Sequence, residues 1–306
     1  MRVTLIHNPT AGAGKASAES LVRLLQGAGH KVRYQSAKAD AWDEALAAPA
    51  DLIAAAGGDG TVSRVARRMV GRGIPVAPLP LGTANNIART LGAADVSLEE
   101  IVRGWRNPRR IKLDVGVAEG PWGKRQFLEG VGVGLFASLL AHGKSKKKAA
   151  KSDRAADRVT RALRVLSQRI KTCEAIALNA SLDGRDISGS YLLLEALNIL
   201  YVGPNLFLAP ESKPGDGTFD VVLAGEAERD RLVEYLSKWQ DNRERLAVLP
   251  SHRGKRLKLE WTGFQVHIDD KRWPKKKDKP PPAPARIEAR IEGAAVEFLA
   301  PEAKKN

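Results

Sequence analysis

Cysteine is nearly absent from this chain of 306 residues: Cys173 stands alone, so no intrachain disulfide can form, and a cytoplasmic setting is expected. No apolar run reaches the roughly 18 residues that a spanning helix needs. The first residues, Met1 to His7, lack the apolar core and cleavage site of a signal peptide and read as a strand. The five histidines, 7, 30, 142, 252 and 267, make no zinc-binding spacing with one another or with Cys173. Aromatic residues are only 5%, too sparse for the stacking platforms of single-strand binders, and no nucleic-acid motif is present. Nucleic acid is therefore not an expected partner. Negative charge is also short, with 35 Asp and Glu against 50 Lys and Arg, a net charge of +15. That excess suits a polyanionic surface such as the anionic face of a bilayer, although a generally basic proteome would produce it too.

What is present is organised around residues 52–92. An apolar run at 52–56 meets Gly57-Gly58-Asp59-Gly60-Thr61, and Val62, Val65, Met69 and Val70 follow at helical spacing. A second apolar run, 74–81, ends in Gly82-Thr83-Ala84-Asn85-Asn86-Ile87-Ala88-Arg89. The order is strand, glycine turn, helix, twice over. Earlier segments repeat it: a strand at 3–8, a turn through Pro9, Gly12, Gly14 and Lys15, a helix near 20–25, a strand at 30–34 and a short helix at 41–47. Strands alternating with helices predict an open, mostly parallel sheet with flanking helices over 1–110, the last helix being 98–105.

From residue 111 the pattern becomes strand-rich. A hairpin is expected at 111–118 and 125–130, then strands at 175–182, 189–200, 219–224, 255–261 and 264–269, closed by 287–291 and 295–299. These define a mainly antiparallel second domain, 111–290, and a C-terminal strand and tail, 291–306, able to return to the first. Two basic features interrupt the second domain. Residues 143–171 hold eleven Lys and Arg, with an apolar stripe at Val159, Ala162, Leu163, Leu166 and Ile170 that predicts a basic helix near 155–171. Residues 271–279 carry lysines around Trp273 and run into a proline stretch, the pattern of an exposed loop.

Glycine turns where a strand delivers the chain to a helix suit phosphate, because free amides and the helix dipole converge there. Asp59 then serves either a metal- or substrate-linked contact or merely as N-cap for the helix near Thr61. Thr83 and Asn86 supply donors without charge. The first turn is neither a Walker A loop nor GxGxxG, and is equally a phosphate cradle or an ordinary turn. Phosphoryl transfer to an alcohol also needs a base, for which Asp269 and Asp270 are candidates unless they only balance Lys271 and Arg272. Asp216 and Asp220 are spaced to share one cation, or to form a tight turn. No hydrolase nucleophile elbow appears.

Taken together, Asn8-Pro9-x-Ala11-Gly12, Gly57 to Thr61, Pro80 to Arg89, Asp114-Val115-Gly116, Gly130-Val131-Gly132, Val202-Gly203-Pro204-Asn205 and Ala209-Pro210 through Val221 resemble the bacterial diacylglycerol kinase–sphingosine kinase type of lipid kinase. This is a branch of the superfamily that includes NAD kinases and phosphofructokinases. The resemblance implies an α/β nucleotide-binding domain, a β-sandwich-like lipid domain, and ATP with Mg²⁺ as cofactors. It places Asn8, Pro9, Gly12, Gly57, Gly58, Asp59, Gly60, Thr61, Gly82, Thr83 and Asn86 at the nucleotide, with Asp59 near Mg²⁺. It also implies Asp269 as general base and Asp216 and Asp220 at a structural cation. The lipid substrate, most simply diacylglycerol, would be met by a cytoplasmic enzyme associated peripherally with the inner face of the cell membrane through the basic helix and the Lys/Trp loop. The sequence does not set the oligomeric state, a homodimer included.

Three positions depart from the family pattern. The Asp-Gly-Glu motif reads Asp269-Asp270-Lys271, Arg64 stands where glutamate is common, and Phe136-Ala137 replaces phenylalanine-aspartate. Two alternatives stay open at this point: an NAD kinase-like enzyme on a soluble substrate, and a weakly active or non-catalytic relative.

Overall fold

The structure, a computed structural model, describes residues 1–14, 16–142, 155–239, 249–275 and 277–302. Lys15, the first half of the basic stretch (143–154) and Lys276 lie outside the described residues. The chain divides into two compact units. One comprises Met1–Leu113 with 155–158 and the C-terminal residues from Ala294; the other holds 114–142 and Val159–Gly293.

The first unit is an α/β layer structure. Strands β1 (Arg2–His7), β2 (Lys31–Ser36), β3 (Leu52–Gly57) and β4 (Val76–Pro80) are parallel, in the order β4-β3-β1-β2. β3 is buried along its whole length, which explains its continuous apolar run rather than an alternating one. Helix α1 (Ala18–Gly27) starts at Ser17, whose hydroxyl accepts from Ser20 N at 3.1 Å. It packs Leu21 and Leu25 against Val3, Leu5 and Leu52. Helix α2 (Asp59–Met69) buries Val62, Val65, Ala66 and Met69, an i, i+3, i+4, i+7 stripe. The short helix α3 (Asn86–Thr90) and α4 (Leu98–Gly104), the latter opened by a Ser97–Glu100 capping box, complete the layers. The predicted helix at 41–47 is a 3-10 segment, Trp42–Ala47.

In the second unit six strands form an antiparallel sheet. Their order is Ser251–Gly254, Phe219–Ala224, Leu193–Leu197, β7 (Gly130–Gly134), Val266–Ile268 and Lys271–Trp273. One face of it carries Val131, Val133, Leu194, Ala196, Val221, Val266 and Ile268. These meet Leu182, Leu257, Leu259 and Ile287 from the Ala180–Leu182, Arg256–Trp261 and Ala285–Ala300 strands, together with Phe127 from the hairpin of β5 (Arg109–Gly120) and β6 (Gly123–Phe127). The other face is covered by Leu135 and Phe136 of α5 (Leu135–His142), by Leu163 and Leu166 of α6 (Ala155–Arg169) and by Leu232 and Leu236 of α7 (Arg229–Lys238).

Several expectations are corrected here. The two closing strands are one, Ala285–Ala300, because Gly293 takes a positive φ of 72° and turns the strand without ending it. The segment at 189–200 divides into Gly189–Tyr191 and Leu193–Leu197. Its apolar side chains, with Val202, Leu206 and Leu208, fill the core rather than a pocket. Lys271–Trp273 is a strand, and Trp273 is 4% exposed, packed on Trp122 and Trp261 with ring centroids 5.0 and 4.8 Å away. That tryptophan is core and cannot reach a bilayer; the lysines at 271, 275, 277 and 279 are exposed. The apolar stripe of α6 is likewise spent on its own unit, leaving Arg161, Arg164 and Lys171 exposed.

The end of the long C-terminal strand joins β4 in parallel, Phe298 opposite Val76, and Phe298 is fully buried. Phe298→Ala is expected to cost about 3–5 kcal/mol through lost burial and the cavity left behind. Urea unfolding followed by circular dichroism checks this; an unchanged midpoint would show that the strand adds nothing to the first unit.

Candidate functional site

Three loops converge at the C-terminal ends of β1, β3 and β4. Asn8, following β1, donates from Nδ2 to Thr61 Oγ1 at 3.4 Å, and its own Oδ1 accepts from Thr10 N and Oγ1 at 3.3 and 2.9 Å. Pro9 lies exposed in that turn, and a Cβ on Gly12 (φ 60°) would stand 2.9 Å from the Leu81 carbonyl oxygen. The 57–61 and 82–86 loops touch backbone to backbone: a Cβ on Gly82 would fall 2.4 Å from Gly58 Cα. Only glycine at both positions allows this approach, which leaves a surface of main chain where phosphate oxygens can come close.

Asp59 opens α2, but the N-cap of that helix is Gly58. Its Oδ1 instead accepts from Ile87 N at 3.0 Å, so the carboxylate ties the first turn of α2 to the start of α3. Burial pushes the Asp59 carboxyl up, against the pull of the Ile87 and Asn86 amides. Such a group is stabilised as an anion by any added positive charge. Among the described residues no three acidic, His or Cys side chains gather to hold a metal. A lone buried carboxylate beside two backbone turns is the kind of donor that a Mg²⁺ held mainly by phosphate oxygens and water would accept. Thr83 is half-buried and Asn86 buried in the same turn. Asn85, which the sequence reading passed over, closes it: φ is 55°, its Oδ1 accepts from Gly82 N at 2.9 Å and its Nδ2 donates to Gly82 O at 3.2 Å. Its signal was available, since asparagine tolerates left-handed backbone better than other non-glycine residues. Arg64 is occupied elsewhere, its guanidinium 4.4 Å from the Trp42 ring centre and donating to Ala37 O.

In the second unit Asp269 ends the Val266–Ile268 strand with φ at 48°. Its carboxylate lies on the amides of the 128–130 turn. Oδ1 accepts from Glu129 N at 2.8 Å, Leu128 N at 3.1 Å and Gly130 N at 3.3 Å, while Oδ2 accepts from Leu128 N at 3.3 Å. Its own N–H donates to Gly130 O at 2.9 Å. Lys271 is 62% exposed and paired with Asp270.

Asp216 and Asp220 are brought together, with an arginine between them. Arg253 pairs with Asp216 and lies 3.7 Å from Asp220 Oδ1, and it donates to Thr218 Oγ1 at 3.1 Å. Burial raises the Asp220 carboxyl, opposed by Arg253; Asp216, which burial alone would raise, is held low by Thr218 and Arg253. Asp114 Oδ2 accepts from Gly217 N at 2.8 Å. With a guanidinium already serving both carboxylates, this arrangement does not fit a resident cation.

The architecture is that of a kinase-type phosphotransferase related to diacylglycerol, lipid and NAD kinases. Residues 2–118 match the diacylglycerol kinase catalytic domain family. The diacylglycerol kinase of Mycobacterium tuberculosis (strain ATCC 25618 / H37Rv) is 26% identical over 98% of this chain and 95% of its own length. That of Bacillus subtilis (strain 168) is 26% identical over 77% of this chain and 76% of its own. A crystal structure of a diacylglycerol kinase from Bacillus anthracis str. Sterne shares the fold, with a TM-score of 0.64 at 21% identity, covering 98% of this chain and 97% of that one. Over residues 2–118 the chain is similar to the diacylglycerol kinase catalytic domain family.

If Arg253 supplies the positive charge at Asp216 and Asp220, millimolar Mg²⁺ or Ca²⁺ leaves the melting temperature of the nucleotide-free protein unchanged. Arg253→Gln then melts lower and regains stability when the divalent ion is added. A wild-type protein destabilised by EDTA would defeat this account.

Proposed function

We propose that the protein is an ATP- and Mg²⁺-dependent lipid kinase that phosphorylates the hydroxyl of diacylglycerol or a closely related lipid. The observation that carries the reading is the convergence of the 8–12, 57–61 and 82–86 loops around Asp59 within the domain that matches the family. The backbone of the Gly58 and Gly82 turns receives the nucleotide phosphates, with Thr61, Thr83 and Asn86 as uncharged polar neighbours. Asp59 is the carboxylate that would hold Mg²⁺, which when bound neutralises phosphate charge.

Asp269 serves as the general base. The acceptor hydroxyl donates to its carboxylate, the proton passes to the carboxylate as the oxygen attacks the γ-phosphorus, and the bond to the β-phosphate oxygen breaks to release ADP. The exposed basic residues of α6 and of the 271–279 segment bring the protein to an anionic lipid surface, where such a hydroxyl lies at headgroup depth. No helix among the described residues is long and apolar enough to cross a membrane.

Purified protein with radiolabelled ATP and a panel of lipid alcohols tests the activity; nucleotide binding without transfer to any lipid would refute it. Asp59→Asn and Asp269→Asn should each lower kcat about a hundredfold or more while melting as cooperatively as wild type. Sedimentation with phosphatidylglycerol vesicles should show binding that weakens from about 0.05 to about 0.5 M salt as charge is screened. Equal binding to uncharged vesicles would remove the electrostatic surface from the account.

A further inference from the structure

The six-stranded sheet buries an acid and a histidine that neither the cradle nor the base has used. Glu195 and His267 both stand opposite Gly132, one from each neighbouring strand of β7. Alternation places all three on the sheet face opposite to Val131, Val133, Val266 and Ile268. Glu195 is fully buried and His267 is 3% exposed. His267 Nε2 lies 2.6 Å from Glu195 Oε2, and its Nδ1 lies 3.1 Å from the carbonyl oxygen of Asp269. A Cβ on Gly132 would meet Glu195 Oε2 at 2.0 Å, so the glycine makes room for the Glu195 carboxyl that His267 contacts.

The protons can be assigned from the partners. A carbonyl oxygen only accepts, so Nδ1 carries a hydrogen and donates to Asp269. Between Nε2 and Oε2 at 2.6 Å a second proton must lie, since two lone pairs would repel. Whichever atom holds it, the pair is neutral overall, which suits a dry site where a lone charge would be costly. Burial alone would lower His267, but the Glu195 contact outweighs it and raises the imidazole. Two apolar side chains would fill this space without the desolvation that an acid and a base incur. What an apolar pair could not do is grip the Asp269 carbonyl.

We propose that Glu195 and His267 are positioning residues for Asp269: Glu195 fixes the tautomer and tilt of His267, and His267 Nδ1–H clamps the carbonyl of Asp269 so that its carboxylate stays on the 128–130 amides. The inference rests on the assignment of Asp269 as base. Asp269 is thereby held by its N–H on Gly130 O, its carbonyl under His267 and its carboxylate on the turn. Without the clamp the peptide after Asp269 is free to rotate out of its left-handed conformation, and the carboxylate leaves the turn with it.

The amide nitrogen of asparagine falls near the position of Nδ1 and that of glutamine near Nε2, so the two substitutions separate the contacts. His267→Gln keeps Glu195 and loses the clamp. Its kcat should fall roughly a hundredfold, the penalty of a base misplaced by about 1 Å, with KM for ATP and lipid unchanged. His267→Asn keeps the clamp and should lose far less. Glu195→Gln, which can donate to Nε2, should outperform Glu195→Leu. Amide resonances of Leu128, Glu129 and Gly130 in ¹H–¹⁵N spectra report the carboxylate directly: in His267→Gln they should move toward their positions in Asp269→Ala.

The proposal is overturned if those resonances stay at wild-type positions in His267→Gln, or if all four variants lose activity in proportion to their melting temperatures. Should Asp269→Asn keep full kcat, the base assignment fails by itself, and the amide shifts still decide whether His267 holds Asp269. If His267→Gln does not fold, the Glu195→Gln and Glu195→Leu pair carries the same comparison.

Discussion

Each half of the proposed chemistry depends on a carboxylate held by backbone amides of a neighbouring turn. Asp59 Oδ1 accepts from Ile87 N, and Asp269 Oδ1 accepts from three consecutive amides, Leu128 to Gly130. An acid fixed by main chain has little side-chain freedom left, so its orientation is set by the sheet and not by solvent. Neither arrangement forms unless two chain segments approach closer than ordinary side chains allow. The geometry of both acids therefore traces back to glycine.

In the first unit the relevant glycines are Gly58 and Gly82, whose backbones touch. In the second they lie along β7. Gly130 would clash with Ala196 O at 2.7 Å, Gly132 with Glu195, and Gly134 with Leu192 O at 2.2 Å if any carried a Cβ. The alternation of Gly130, Val131, Gly132, Val133 and Gly134 thus has two purposes on its two faces. Valines fill the sandwich core, while glycines give up volume to Glu195 and to the neighbouring main chain. Glycine within a strand costs entropy and packing. Here the return is a buried polar pair beside the proposed base.

The parallel half of the fold was legible because its signals are local. Unbroken apolar runs at β3 and β4, each closed by a glycine turn, admit few other readings, and the loops so located are the ones that converge. Legibility declined where tertiary context decided the outcome. The apolar start of α5 gives no periodicity, since Leu135, Phe136 and Ala137 are all buried. In α7 the spacing of Leu232, Tyr235 and Leu236 was present but hidden among charges. Trp273 looked like a surface anchor in its lysine-rich setting, yet a neighbouring charge says nothing about the opposite side of a strand. Glu195 and His267 left the faintest trace, one acid within Leu193 to Leu197 and one histidine between Val266 and Ile268. Their meeting opposite Gly132 is a matter of register between strands far apart in sequence, which no single segment reveals.

The same separation of local and tertiary information bears on Lys271. In the linear motif it replaces a glutamate two residues after the proposed base, and so suggests an impaired site. In the fold it starts a new strand, is exposed and pairs with Asp270. The turn at 128–130 and His267 both hold Asp269, and residue 271 supplies neither contact. Its substitution alters charge beside the base without withdrawing what orients it. That argues for a proposed base whose supports are intact and whose electrostatic surroundings have shifted toward the positive, in keeping with a chain that is basic throughout.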